Sequence, residues 1–222
     1  MTFLKHSGAL ALLVSAALSS AHAAPITLTF EGVGDLASIN DFYNGGTDSQ
    51  GNSGTNHGVQ FGSNTLGVLE QNPQANFSGE PTPNTIMFFL TGSAVLNYAP
   101  GFDKGFSFYF TTVGFSGKVD VYSGLNKTGS LLGSISLPAL GNGPDPLNPF
   151  SNWKVGSLAF AGTAKSIDFS GTVNQVGYDN ITFGSTNPSG TVPEPGAYAM
   201  LGLFLGMAPV IARARRKQPQ AA

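Results

Sequence analysis

FSFYF, residues 106–110, places three phenylalanines on one side of an extended chain and Ser107 and Tyr109 on the other. Successive side chains of a β-strand point to opposite faces, so this period of two predicts a strand with one face in a core. The same alternation recurs in ITLTF (26–30), KVDVY (118–122), LLGSISL (131–137), SIDFSG (166–171) and DNITFG (179–184).

Three of the segments give sharper expectations. TIMFFL (85–90) is apolar throughout, which predicts a central strand covered on both faces. In KVDVY the two valines are expected in the core, with Asp120 exposed between them. In LLGSISL the alternation places Leu131 on the same face as Ile135 and Leu137.

Turn signals such as Asn44-Gly45, Ser123-Gly124 and Thr128-Gly129 separate these segments, and no stretch between them has a helical period. About eight short strands joined by long polar loops predict an all-β fold, an antiparallel β-sandwich of jelly-roll type. An immunoglobulin-like sandwich is the alternative, although the Cys, Trp, Cys spacing typical of such domains is missing.

The composition of the segment from Ala24 to Thr191 excludes several functions. It carries five lysines, no arginine and 11 acidic residues, a net charge of −6, which disfavours nucleic-acid binding. The chain has no cysteine, so disulfides and thiolate chemistry are excluded. His57 is the one histidine of the segment, and it has no acidic partner nearby in sequence, which argues against Ser-His-Asp catalysis.

The N-terminal residues 1–23 have the layout of a secretory signal peptide. Lys5 precedes an apolar stretch from Gly8 to Leu18, and Ala21 and Ala23 form an A-x-A cleavage site for signal peptidase. The body is therefore expected to be exported, with a β-sandwich domain over residues 24–187.

The C-terminal residues 188–218 combine three features in a fixed order. A Pro-Glu-Pro box is followed by an uncharged apolar run from Ala197 to Ala212, shorter than the roughly 20 residues of a comfortable transmembrane helix, and then by a basic cluster. The cluster predicts that the extreme C-terminus stays in the cytoplasm and the body outside. The residues concerned are Val192, Pro193, Glu194, Pro195, Arg213, Arg215, Arg216 and Lys217.

This tail resembles the PEP-CTERM sorting signal of exported proteins in Gram-negative bacteria. The resemblance implies a transient anchor in the inner membrane, recognition by an exosortase, cleavage near the Pro-Glu-Pro box, and delivery of the body to the cell surface or extracellular matrix. Such proteins are often found in bacteria that make exopolysaccharide. A permanent tail anchor is the alternative.

The two ends of the body, LTFEG (28–32) and GYDNITFG (177–184), resemble the first and last strands of carbohydrate-binding modules and MAM-like jelly rolls. The resemblance implies that these strands are neighbours and that Glu31 and Asp179 hold a structural Ca²⁺. Alternation places Asp179 on the core face, whereas Glu31 needs a bulge or strand end at Gly32 to turn it inward. A carboxylate that caps a loop by hydrogen bonds is the alternative.

The loop NGGTDSQGNSGTNHG (44–58) is rich in oxygen ligands, and Asp48 is the expected third acidic ligand of such a site. The loop lacks the glycine and glutamate spacing of an EF-hand. A solvated loop without a metal is the alternative.

Two functional classes remain, with a weaker third. The first is a non-catalytic surface or matrix protein associated with exopolysaccharide or biofilm. The second is a carbohydrate-binding module, in which Tyr109, Tyr122 and Trp153 are the candidates for stacking on sugar rings. The third is a glycosidase, which needs two carboxylates facing one cleft. No pair of acids in the sequence indicates such a cleft, so the protein is predicted not to be an enzyme.

Overall fold

A computed structural model describes residues 24–188, and these residues fold into eleven β-strands. No helix within this range could cross a membrane. The strands are β1 (Ile26–Leu28), β2 (Val59–Phe61), β3 (Thr65–Leu69), β4 (Thr85–Phe89), β5 (Ala94–Phe102), β6 (Phe106–Thr112), β7 (Gly117–Tyr122), β8 (Leu131–Leu137), β9 (Trp153–Leu158), β10 (Ala164–Gly171) and β11 (Val176–Phe183).

The strands form two sheets. Sheet A has six strands, in the order β3-β4-β11-β6-β9 with β1 also paired to β11, and sheet B has five, in the order β2-β5-β10-β7-β8. Within each sheet, every pair of neighbouring strands is antiparallel. The predicted all-β fold with two antiparallel sheets is therefore confirmed, and the first and last strands are neighbours.

Aromatic side chains fill the space between the sheets. The ring centroids of Phe108 in sheet A and Phe169 in sheet B are 6.0 Å apart, and the Tyr178 ring packs against both rings. All three are fully buried. Such edge-to-face and tilted pairs stabilise a core beyond the area that they bury. Within residues 24–188 the two sheets thus enclose a shared aromatic core.

Several sequence expectations hold and others need correction. All five residues of β4 are buried, as predicted for a central strand. Leu131, however, is 53% exposed, because β8 is an edge strand whose register with β7 shifts between Val121 and Tyr122. Asp120 is buried rather than exposed, since Ser134 and Lys118 cover its carboxylate.

One side of β11 is shared by two strands. β4 pairs with it at Tyr178, and β1 pairs with it from Ile181 to Phe183, so a gap lies between them opposite Asp179. The β3–β4 loop (70–84) and the β8–β9 loop (138–152) lie over the outer face of sheet A, the face turned away from sheet B. They meet at a bridge between Phe77 and Phe150. The predicted signal peptide and sorting signal lie outside the described residues.

Candidate cation site and binding groove

Asp179 lies in the middle of β11, beside the gap between β1 and β4. The register of β11 against β6 shifts between Asp179 and Thr182, and Asn180 has a φ of 48°. This β-bulge adds one residue, so Asp179 faces outward opposite Tyr109 instead of sharing the core face of Ile181 as predicted. It is nevertheless 0% exposed, because the β3–β4 loop covers it.

Glu31 reaches the same gap from the end of β1. The chain turns at Phe30, which has a φ of 64°, and continues through Gly32 at 88°, so the turn expected at Gly32 begins two residues earlier. Glu31 Oε1 then accepts a hydrogen bond of 2.9 Å from the backbone N–H of Thr85, the first residue of β4. The two predicted carboxylates are thus brought to one place.

Glu80 of the β3–β4 loop is the third carboxylate at this place, and no pattern in the sequence indicates it. The residue is 8% exposed, and neither carboxylate oxygen has a hydrogen-bond partner among the described residues. Burial raises the pKa of Glu80, its own backbone N–H lowers it, and the charges of Glu70 and Glu31 add smaller upward shifts. An unpaired buried carboxylate is costly unless a proton or cation compensates it.

The pKa of Asp179 also shows that burying a charged carboxylate at this place is costly. Burial raises its pKa to about 7, against the lowering effect of the Thr82 and Asn180 backbone N–H groups, and Glu31 and Glu80 add to the rise. Both ion pairs formed within residues 24–188 lie on sheet B, far in the fold from this cluster. Glu31, Glu80 and Asp179, here named the carboxylate cluster, therefore have no ion-pair partner within residues 24–188.

The carboxylate cluster suits a hard cation by its chemistry more than by its present geometry. All of its donors are oxygens, which Ca²⁺ prefers, and Glu80 has both oxygens free. Across the described part of the chain, however, no three acidic or histidine side chains converge as a ready metal-binding group. A bound cation would have to draw the three side chains together, and among them Glu80 is the one whose oxygens have no hydrogen bond to another described residue.

Asp48, the predicted third ligand, is bonded to groups of its own loop and of Gly34. Its two carboxylate oxygens accept hydrogen bonds from the backbone N–H groups of Gly34, Gln50 and Asn52 and from the Asn52 side chain, at 2.8–2.9 Å. Burial opposes the ionised form, but these bonds outweigh it and lower the pKa of Asp48. A carboxylate has about four acceptor positions. Asp48 is therefore saturated as the cap of its own loop.

A groove of about 210 Å³ lies on the outer face of sheet A, between the β3–β4 and β8–β9 loops. Phe77, Phe88 and Phe150 contribute rings to its walls, and no charged residue lines it within the described range. Amide side chains stand around it, and those of Gln74, Asn76 and Asn174 are exposed and make no hydrogen bond inside residues 24–188. The groove thus combines apolar walls with free, neutral hydrogen-bonding groups.

The floor of the groove depends on a close approach at Gly177. A Cβ added there would lie 2.8 Å from Ile86 Cδ1 and 3.1 Å from Thr111 Cγ2, so a larger residue would displace the floor. Trp153 pairs with Thr111 across β6 and β9, and its Nε1–H donates to the Ser78 carbonyl at 3.1 Å. The tryptophan therefore ties sheet A to the β3–β4 loop beside the groove.

The predicted stacking residues do not form one platform. Tyr109 and Trp153 share the outer face of sheet A on neighbouring strands, whereas Tyr122 lies on the outer face of sheet B. The rings that line the groove are Phe77, Phe88 and Phe150 instead. Phe77 and Phe150 come from loops without any period, so alternation in the sequence could not indicate them.

One pair of acids does face each other, on sheet B. Asp120 and Asp168 are directly opposite in the β7–β10 ladder. Lys118 Nζ lies 2.8 Å from Asp120 Oδ2, and Lys127 Nζ lies 3.5 Å from Asp168 Oδ2. The charges of the pair are thus compensated by lysines, which is typical of an ion-pair network and not of an acid/base pair poised for hydrolysis.

No protein-family model matches the chain, and neither does any curated protein. Solved structures do align with it. The K2 cleaved adhesin domain of Lys-gingipain is 13% identical, with a TM-score of 0.46 over 72% of this chain and 98% of that one. The carbohydrate-binding module CBM6cm-2 of Cellvibrio mixtus lichenase 5A, in complex with cellotriose, is 12% identical, with a TM-score of 0.36 over 56% and 89%.

A third structure, CsCBM6-3 from Clostridium stercorarium in complex with cellobiose, is 14% identical, with a TM-score of 0.35 over 55% of this chain and 93% of that module. Adhesin domains, carbohydrate-binding modules and a glycoside hydrolase family 43 arabinoxylan arabinofuranohydrolase from Bacillus subtilis are among the matched structures. At these scores the alignments decide no function. The functional argument therefore rests on the groove and the carboxylate cluster.

Proposed function

We propose that this chain is an exported, non-catalytic protein whose β-sandwich binds polysaccharide in the groove of sheet A, as an exopolysaccharide-associated protein of the cell surface or matrix. The observation that carries the proposal is the lining of the groove. Phenylalanine rings suit the C–H faces of sugar rings, and the free amides of Gln74, Asn76 and Asn174 supply both donors and acceptors for hydroxyl groups. A neutral sugar is the ligand that such an uncharged lining fits.

A hydrolytic role is disfavoured by the same lining. Glycoside hydrolysis needs two carboxylates roughly 5–9.5 Å apart on either side of the scissile bond. No carboxylate from the described residues lines the groove, and the Asp120–Asp168 pair lies on the other sheet. The groove is therefore suited to retain a glycan and not to cleave it.

The sandwich is proposed to be of jelly-roll type, because the chain from β4 to β11 passes from one sheet to the other at every connection except β7–β8. The carboxylate cluster is proposed as a structural Ca²⁺ site with Glu80 in the place predicted for Asp48. In that site Glu31 and Asp179 would hold the ion between β1 and β11, and Glu80 would attach the β3–β4 loop to it.

Delivery to the surface is proposed to follow the PEP-CTERM route, with signal peptidase cleaving after Ala23 and an exosortase acting near the Pro-Glu-Pro box. The support is the order of the box, the apolar run and the basic cluster at the C-terminus, together with the secretory layout of residues 1–23.

A glycan array probed with residues 24–188 tests the binding proposal, followed by pull-down on the insoluble polysaccharides that arrays omit. Asn76→Ala and Asn174→Ala are expected to weaken binding at least several-fold each without changing the melting temperature. Asn142→Ala is the matched control, since Asn142 is exposed in the β8–β9 loop and does not line the groove. Absence of binding in both formats, or equal affinity in all four proteins, would contradict the proposal.

A further inference from the structure

Strand β8 leaves one side of its backbone without a partner. It is the last strand of sheet B and pairs with β7 alone. Within residues 24–188 no other segment of the backbone bonds to residues 131–137. An unpaired strand edge presents a row of free N–H and C=O groups that can pair with another chain.

The edges formed by β1, β2 and β3 are short or covered. At β2 the Val59 and Phe61 N–H groups donate to the carbonyls of residues 40 and 43. Residues 37–39 cover β3 through two backbone hydrogen bonds of 2.9 Å and a β-bridge. β1 is three residues long, and a very short edge offers little backbone to a partner.

β9 and β8 are both edge strands with one neighbour, but they differ in charge. β9 carries Lys154 opposite the buried Phe110, so the lysine is on the inward face of its sheet. An inward-pointing charge is one of the features by which natural sheets prevent edge-to-edge association. β8, with the sequence LLGSISL, has no charged residue and no proline. It is therefore the long edge of the described sandwich that lacks such protection.

Apolar side chains lie partly exposed along the same side of the sandwich. Leu131 is 53% exposed, and Leu132 and Ile135 pack against the core while they remain only partly buried. Leu158 of β9 lies against Gly133, where an added Cβ would be 2.6 Å from Leu158 Cδ2. A partner that pairs with β8 would therefore cover apolar surface as well as backbone groups.

We infer that two copies of this chain associate through β8, which pairs antiparallel with β8 of the second copy about a two-fold axis. An antiparallel strand edge is complementary to itself, because each copy offers the N–H and C=O groups that the other needs. A two-fold contact likewise places the same patch on both partners. These two properties make a second copy the occupant that the edge fits.

The distribution of charge favours the same contact. The segment from Ala24 to Thr191 has a net charge of −6, which opposes close approach of two copies over much of the surface. β8 itself is uncharged, and on the neighbouring β7 Lys118 Nζ lies 2.8 Å from Asp120 Oδ2, so these two charges compensate each other. Two copies therefore meet at this edge with little electrostatic repulsion.

The dimer would join the two copies of sheet B into one continuous sheet and would carry two sheet A grooves. The value of the second groove rests on the proposed function. Once one groove holds a polysaccharide, binding of the other groove to the same chain is intramolecular and is favoured by a high effective concentration. Binding to two different chains would cross-link them, which a protein with a single groove does not do.

Sedimentation equilibrium of the whole chain, in a non-ionic detergent of matched density, measures the association. The molar mass of the protein should rise to that of two chains as the concentration increases. Ser136→Lys and Leu131→Lys each add a charge to an exposed position of β8 and should restore the mass of one chain. Gln60→Lys is the matched control on β2, the opposite edge of sheet B, and should dimerise like the wild type.

Cross-linking gives a second readout, because the chain has no cysteine of its own. Ser134→Cys and Ser136→Cys, made one at a time, place a thiol at an exposed position of β8, and Gln60→Cys is the control on β2. Antiparallel pairing about a two-fold axis brings equivalent residues near the axis close together. A short bis-maleimide should therefore link two chains through position 134 or 136 and not through position 60.

Two results would overturn the inference. The wild type could remain a monomer at every concentration, or its dimer could persist in both lysine variants, which would place the contact on another surface. A circular dichroism spectrum and a thermal melt establish that each variant is folded. Neither result bears on glycan binding, and a negative glycan array would leave the dimer unaffected, so the two proposals fail separately.

Discussion

Calcium should raise the thermal stability of residues 24–188, and the carboxylate cluster should account for the whole effect. The perturbation is the exchange of excess Ca²⁺ for chelator. Without the ion, burial and the charges of Glu31 and Glu80 raise the pKa of Asp179 to about 7, so near neutral pH the cluster is a source of instability. With the ion bound, the carboxylates act as its ligands, and the cost of burying their unpaired charges is removed.

The size of the effect follows from mass action. A ligand that binds only the folded state, present at a hundred times its dissociation constant, stabilises that state by about 2.7 kcal/mol. For a domain of this size each kcal/mol moves the melting temperature by roughly 2–4 °C, so a rise of roughly 5–10 °C is expected. Differential scanning calorimetry, with and without chelator, measures it.

Two variants localise the effect. Asp179→Ala and Glu80→Gln should each lose the calcium-dependent rise, whereas Asp48→Asn should keep it, because Asp48 is saturated by its own loop. Asp48→Asn should instead lower the melting temperature equally in both conditions. Coincident wild-type curves with Ca²⁺ and with chelator would refute the cation site and leave Asp179 as a hydrogen-bonded cap.

Three further predictions concern pH, the core and the termini. In chelator, the melting temperature should fall as the pH rises from about 4 to about 7, because a carboxyl whose folded pKa is raised to about 7 stabilises the fold only while protonated; Asp179→Asn should flatten this slope. Tyr178→Phe should raise the free energy of unfolding by about 1 kcal/mol, because the buried Tyr178 hydroxyl has no partner among the described residues. Tyr43→Phe should lower the free energy of unfolding by about 1–2 kcal/mol, because the Tyr43 hydroxyl accepts the Phe30 N–H at 2.7 Å. Urea denaturation measures both changes. Intact-mass measurement on protein from the native host should find no residues after the Pro-Glu-Pro box, and a species that retains Arg213 to Lys217 would indicate a permanent anchor.

Alternation predicts those strands in which most of the positions on one face carry apolar side chains. β9 escapes prediction because Gly156 occupies its core-facing position, where an added Cβ would lie 2.5 Å from Phe108 Cζ. The Phe108 ring thus fills the place of the missing side chain, and the alternation disappears from the sequence. β5 escapes prediction because Pro100-Gly101 has the appearance of a turn, although the strand continues to Phe102.

The candidate sites are harder to predict than the strands for a related reason. The pairing of β1 with β11 is expected, but the bulge at Asn180 reverses the face of Asp179, and nothing in DNITFG marks the extra residue. Glu80 lies between Gly79 and Pro81 in a loop with no period, so its burial depends on where that loop packs. Pattern reasoning therefore finds strands, whereas contacts made by long loops require the folded structure.

The carboxylates would be useful to the fold even without an ion, because of the gap that two strands leave beside β11. Where β1 ends and β4 begins, the backbone N–H groups of Thr82, Thr85 and Asn180 bond to carboxylates in place of ladder carbonyls. Glu31 and Asp179 accept all three of these bonds, at 2.7–2.9 Å. Unpaired buried N–H groups cost free energy comparable to a lost hydrogen bond. Removing the Asp179 side chain should therefore destabilise the apoprotein as well, and the loss of the calcium-dependent rise, not the absolute melting temperature, is the quantity that reports on the ion.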